Sequence, residues 1–197
     1  GLPPRDVTIC HNRSHFGGQL SLAGGRARAN ALCTLITGHR EAKLINQERL
    51  LKTFCDLVQI DSPSGEEEAI AQELVRRLEA LGFTVRQDHH GNVIATEEGE
   101  EPLMLSAHMD TVEPGRGIRP IVSGGRIHTD GSTILGGDCK AGISAILEAL
   151  EAIRDDQSNR IPVQLVITRG EEIGLVGAHN LDFSLIVAKE GVVFDGG

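Results

Sequence analysis

The chain has 197 residues, 40% of them hydrophobic and 24% charged, with a net charge of −9 at neutral pH. That length suits one domain with a sizeable core, and the acidic balance argues against a nucleic-acid partner. Five Phe with no Trp or Tyr leave little for base stacking, and no apolar run reaches the roughly 18 residues of a membrane span.

The four cysteines, Cys10, Cys33, Cys55 and Cys139, form no C-x-x-C pair. They read as reduced thiols of a cytoplasmic protein rather than a disulfide framework or a structural zinc finger. Residues 1–43 differ from the rest: they hold six Lys/Arg against two acids, where the remainder holds 13 against 26. Pro, Gly, Ser and Arg are frequent there and no apolar period is sustained. No Met precedes Met104. An Arg-rich targeting segment is one reading. The preferred expectation is a disordered or non-native leader, read in frame before a start at residue 44 on a non-standard initiation codon. Mass spectrometry of the natively expressed protein tests it. The domain is expected over 44–197.

From residue 46 to 59, Leu50, Leu51, Phe54, Leu57 and Val58 fall on one face of a helix, with Asn46 as its N-cap. Ile60 to Gly65 breaks it. A second helix follows, with Ser64 as its cap, Glu66 to Glu68 at its positive end, Ile70, Leu74, Leu78 and Leu81 as its buried stripe, and Gly82 as its stop. Phe83–Val85 and Asn92–Ala95 read as strands joined by a turn. His89 and His90 are solvated in that turn on this reading, not ligands. The acids Glu97, Glu98, Glu100 and Glu101 read as a solvated loop.

Leu103 to Val112 is the organising stretch. Its apolar start predicts a buried strand, and His108 and Asp110, two apart in extended chain, point the same way. The Asp110 carboxylate can therefore hold one ring nitrogen of His108 while the other faces a metal. Gly115 and Gly117 make a loop and not a dinucleotide fingerprint, because Pro120 stands at the third glycine. Ile118–Val122 and Gly125–His128 predict a small hairpin with His128 structural. Gly136-Gly137-Asp138-Cys139-Lys140-Ala141-Gly142 leads into a helix over Ile143–Ile153. It fails as a phosphate loop because Lys140 is neither preceded by Gly nor followed by Ser or Thr. Asp138 is a helix cap or a carboxylate aimed at a cation, and the local sequence divides evenly between them. Pro162–Thr168 is a continuous apolar strand of a sheet covered on both faces. It ends in Glu171-Glu172, two acids held close only if a cation or proton separates them, or else simply exposed. Gly191–Phe194 is a last strand, ending in Asp195.

Strands alternating with helices predict an α/β fold, a mixed sheet with helices on both faces. His108, Asp138, Glu171, Glu172 and Asp195 all fall where strands end or helices begin, where sites gather in open sheets. One histidine with several carboxylates suits zinc, cobalt or manganese. No G-x-S-x-G elbow is present, so a serine hydrolase is poorly supported.

His108-Met109-Asp110-Thr111-Val112, Gly136 to Gly142, Glu171-Glu172-Ile173-Gly174-Leu175-Val176-Gly177-Ala178 and Asp195-Gly196-Gly197, at gaps of about 30, 33 and 23 residues, resemble the di-zinc metallopeptidase family of aminoacylase, carboxypeptidase G and peptidase T. The peptidase T-like, tripeptide-aminopeptidase-like branch is the nearest. The resemblance runs from residue 44 to the end and implies a three-layer zinc-peptidase catalytic domain. It implies that His108 and Asp195 bind a first Zn2+, Asp138 bridges two, Glu172 binds the second, Asp110 orients His108 and Glu171 is the general base. It also implies a cis bond after Asp138, and Gly136, Gly137 and Gly142 let backbone approach the site. The implied activity is amide hydrolysis in short peptides. N-acyl amino acid deacylation on the same fold and a catalytically inactive metal-binding fragment are the alternatives.

Two departures stand out. Cys139 occupies a position where close relatives carry Asp. The family's second zinc site is completed by a histidine far towards the C-terminus, and its lid domain, which often dimerises, follows as well. The 197-residue chain is therefore expected to look like the first part of a catalytic domain, to bind one metal better than two, and to turn over little by itself.

Overall fold

The computed structural model describes residues 9–10 and 45–195. Apart from Ile9–Cys10, the expected leader lies outside these residues. Strand β1 (Ile9–Cys10) is followed by helices α1 (Gln47–Val58) and α2 (Glu68–Ala80). Strands β2 (Thr84–Gln87), β3 (Val93–Thr96), β4 (Leu103–His108), β5 (Ile121–Ser123) and β6 (Arg126–His128) come next. Helix α3 (Gly137–Asp156), strand β7 (Val163–Thr168), the short helix α4 (Val176–His179), a 3-10 turn (Phe183–Leu185) and strand β8 (Glu190–Val193) complete the order.

Six strands form one mixed sheet in the order β1-β8-β4-β7-β3-β2. β4 runs parallel to both β7 and β8, so their carboxyl ends lie on one edge, while β3 is antiparallel to β7. The alternation of side chains along the strands divides the core. Val93, Ala95, Leu105, Ala107, Val163, Leu165 and Ile167 face the three long helices and form the main cluster with Leu57, Ile70, Leu74, Leu78, Ile143 and Ile146. Ile94 and Val166 point to the other face, where Ile186 covers them together with Leu181 and Leu185. Helices thus flank the sheet as expected, but unevenly: among the described residues the second face is covered by the segment around the 3-10 turn. That thin cover is tied down by Gln164, fully buried on β7. Its side chain donates to Thr96 Oγ1 and the Leu185 carbonyl and accepts from the Val187 and Ala188 N–H groups.

The helices follow their sequence signals closely. Asn46 caps α1, its side chain accepting from Arg49 N at 3.0 Å. Glu148, fully buried in the middle of α3, takes Arg49 Nε at 2.6 Å and Asn46 N at 2.8 Å, which locks α1 onto α3. The β5–β6 hairpin packs Ile118 and Ile127 on Phe54 and Val58 of α1. His128 is exposed and bonded to Ser123, and in the β2–β3 turn His89 is exposed while His90 is half-buried.

Four readings are corrected. Ser64 does not cap α2: that helix begins at Glu68, and the Ser64 hydroxyl is drawn to Asp110 instead. Helix α3 begins at Gly137 rather than Ile143, with Asp138 and Cys139 in non-helical conformations inside its first turn. The organising strand stops at His108 rather than Val112, because Asp110 leaves the ladder to lie beside Ser62 to Ser64. Glu97 is half-buried, paired with Arg160 and accepting from Val163 N, not a freely solvated acid. Among the described residues no helix is long and apolar enough to cross a membrane.

Candidate metal centre

His108 ends β4 with 3% of its surface exposed. Its Nδ1 lies 3.1 Å from the Asp110 carbonyl and 3.3 Å from Asp110 Oδ1. A carbonyl only accepts, so Nδ1 carries the hydrogen and the other nitrogen, Nε2, is the one left for a cation. Nε2 is buried without a hydrogen-bond partner. It faces Asp138 Oδ1 at 3.4 Å and Glu171 Oε2 at 4.0 Å.

Asp110 is completely buried and its carboxylate is fully engaged. Oδ1 accepts from Glu171 N at 3.0 Å, and Oδ2 accepts from Ser64 Oγ at 2.6 Å and Glu172 N at 3.2 Å. One carboxylate therefore fixes both the histidine ring and the backbone of the Glu171–Glu172 loop. Burial raises its pKa, but His108, Ser64 and the two N–H groups favour the charged form more, and it falls to about 2.

Asp138 reaches the site from the first turn of α3, in extended conformation, and the Asp138–Cys139 bond is cis as the family resemblance implies. The Glu113–Pro114 bond is cis as well. Cys139 is buried and its thiol donates to the Phe194 carbonyl, one residue before Asp195. It thus ties the end of β8 to the start of α3. Gly142 permits this approach, since a Cβ there would stand 3.0 Å from Phe194.

Donor atoms of His108, Asp138 and Cys139 converge within 4.8 Å of one another, as do those of His108, Glu171 and Glu172. Asp195 belongs to neither group, but its charge acts on Glu171. Burial pushes the Glu171 carboxyl up from its ordinary value, with Asp195, Asp110 and Asp138 adding to it against the opposing pull of His108. Glu172 is raised likewise, by burial first. Clustered acids that resist ionisation, beside an unpaired buried imidazole nitrogen, fit a divalent cation.

Three residues near the site carried no functional reading. Lys140 is completely buried beside it, its Nζ 3.4 Å from the Ile60 carbonyl. Ser64 and Glu67 brace the site from the loop before α2. Glu67 left a signal: it stands on the same helical stripe as Ile70, Leu74 and Leu78, where an acid is out of place unless paired.

By its fold and the donors its parallel strand ends bring together, the chain resembles metallopeptidases. The family model that matches is Peptidase family M28, over residues 92–183. A tripeptidase from Staphylococcus aureus superposes with a TM-score of 0.75 at 42% identity, over 78% of this chain and 44% of that one. The aminopeptidase PepT from Bacillus cereus superposes with a TM-score of 0.74 at 40% identity, over 77% of this chain and 44% of its own. The protein YqjE of Bacillus subtilis is 40% identical over 163 residues, 77% of this chain and 44% of its own length. The chain thus resembles the peptidase T-like branch, and it spans less than half the length of these relatives.

Proposed function

We propose that these residues form part of a metal-dependent peptidase that hydrolyses an amide bond in short peptides, aminopeptidase-like in its choice of substrate and working in the cytoplasm. The observation that carries this reading is the buried, unpartnered Nε2 of His108 facing the Asp138 and Glu171 carboxylates. On this reading His108 and Asp195 would hold a first divalent ion, Glu172 would hold a second, and Asp138 would serve both. Zinc bound there would polarise the scissile carbonyl and acidify the attacking water.

The chain's own groups supply the rest. Asp110 keeps the hydrogen of His108 on Nδ1, so that Nε2 remains a ligand atom. Glu171, its pKa raised, takes a proton from the attacking water and delivers it to the leaving amine. Its neighbour Glu172 would be the ligand. Asp110 accepts from both of their N–H groups and thereby fixes the backbone from which these two side chains diverge.

The test is hydrolysis by the product of the complete reading frame, zinc-loaded, with and without chelator, on a free-amine tripeptide beside an N-acetylated amino acid. Chelator-sensitive cleavage of the tripeptide alone is expected. Cleavage of the acetylated compound alone would move the assignment to deacylation while keeping the site. Cleavage of neither would overturn the proposed activity.

A further inference from the structure

The segment between α1 and α2 lies beside the end of β4 and touches both carboxylate-bearing loops of the site. Ser62 Oγ donates to the Met109 carbonyl at 3.0 Å, Thr111 N donates to the Ser62 carbonyl at 3.0 Å, and Ser64 holds Asp110. Glu67, with 1% of its surface exposed, closes the assembly. Its Oε1 accepts from Gly65 N at 2.9 Å and Gly170 N at 3.0 Å, and its Oε2 accepts from Arg169 Nη2 at 2.5 Å. Arg169 and Gly170 are the two residues immediately before Glu171.

We infer that Glu67 is a positioning residue: by gripping Arg169 and Gly170 it sets where Glu171 and Glu172 stand. The inference rests on the metal-centre reading above. A carboxylate buried this deeply is held only because both oxygens are filled, and here every partner belongs either to its own turn or to the loop that carries the two glutamates. Because Asp110 accepts from the N–H groups of both glutamates, a shift of that loop also loosens Asp110 and, through it, the His108 ring. Glu67 touches no donor of the metal group, so its influence must travel through the loop. Partners of this kind typically alter metal affinity by roughly 10–100-fold when removed.

The test is calorimetric titration of the full chain with zinc alone. Glu67→Gln keeps the shape and one acceptor but sets an amide N–H2 against the Arg169 guanidinium. The double variant Glu67→Met with Arg169→Met removes both charges, so no lone buried ion is left to unfold the chain. Both should bind zinc at least about tenfold more weakly than the parent. The control is Arg49→Met, which strips the partner from buried Glu148 on the α1–α3 seam. It should lower the melting temperature and leave zinc affinity alone. Parental zinc affinity in both Glu67 variants would overturn the inference. So would an equal loss in Arg49→Met, since general loosening would then explain everything. A parent chain that binds no zinc would instead refute the metal centre itself, and this inference with it.

Discussion

At His108 a proton and a metal ion compete for Nε2. Burial disfavours the imidazolium, but Asp110 and Asp138 outweigh it and push the ring's pKa up from 6.5 to about 10. The folded pKa lies above the unfolded one. The protonated ring therefore stabilises the metal-free fold fully below pH 6.5, and the contribution is lost as pH rises through about 10. For Asp110 the sign reverses: its contribution is present above pH 3.8 and lost as pH falls towards about 2. Zinc must displace the Nε2 proton, so its affinity should rise about tenfold per pH unit across the neutral range. Titrations in buffers of different ionisation enthalpy check this, and an affinity flat with pH would show the ring already neutral. Glu171→Gln should lower kcat of the complete protein by roughly 10²–10⁴-fold while zinc still binds. Loss of zinc binding as well would make Glu171 a ligand. The contact of Asp110 with His108 was legible because i, i+2 spacing is local geometry, whereas at Asp138 the local sequence divided evenly between a helix cap and a cation ligand. Ser64 was not, since its partner Asp110 lies 46 positions away and only the folded loop brings them together.

The elements were legible wherever one period ruled. α1 and α2 carry 3.6-residue stripes whose buried members, such as Phe54, Leu57, Leu74 and Leu78, are those the spacing selects. β7, apolar but for Gln164 and Thr168, is buried at all six positions. Boundaries failed where a side chain had tertiary work: Asp138 and Cys139 interrupt the first turn of α3, and Asp110 leaves β4. The turn from β7 into α4 shows the same dependence on packing. Gly177 sits against Asn92 and the backbone of Arg169, and a Cβ there would stand 2.3 Å from Asn92 Oδ1 and 2.4 Å from the Arg169 carbonyl oxygen. Neither atom can retreat easily, because Asn92 is fully buried, donating to the Gly177 carbonyl and accepting from Arg169 N. Gly177→Ala should therefore destabilise by about 1–3 kcal/mol, the usual range for overpacking. It should weaken zinc binding too, because the displaced backbone leads directly into Glu171. Chemical denaturation beside zinc titration checks both, and an unchanged zinc affinity would show that the loop absorbs the methyl without moving the glutamates.

For the molecule as a whole, the donor arithmetic and the stability of the fold are linked. Both candidate donor groups share His108, and among the described residues neither contains a second histidine. His89 and His128 are exposed on turns and hairpins elsewhere. Two ions cannot both take the His108 Nε2, so the second must rely on carboxylates alone, with Asp138 shared between the two. The 197-residue chain should accordingly bind one zinc at least about tenfold more tightly than another, an imidazole nitrogen being a preferred zinc donor. Equilibrium dialysis with atomic absorption counts the ions, and two equal high-affinity sites would contradict this. The ion also bears on the fold, because the ends of β4 and β7 and the start of α3 bring together acids that repel one another when unpaired. Free zinc at a hundredfold excess over its dissociation constant should stabilise the native state by about 2.7 kcal/mol. For a domain of this length that is a rise in melting temperature of roughly 5–10 °C, reversed by chelator. Scanning calorimetry across a zinc series measures it. A melting temperature indifferent to zinc, in a chain that demonstrably binds it, would mean that the unfolded chain holds the ion as well as the folded one. The strand ends would then not form a preassembled site, against the geometry of His108 and Asp110.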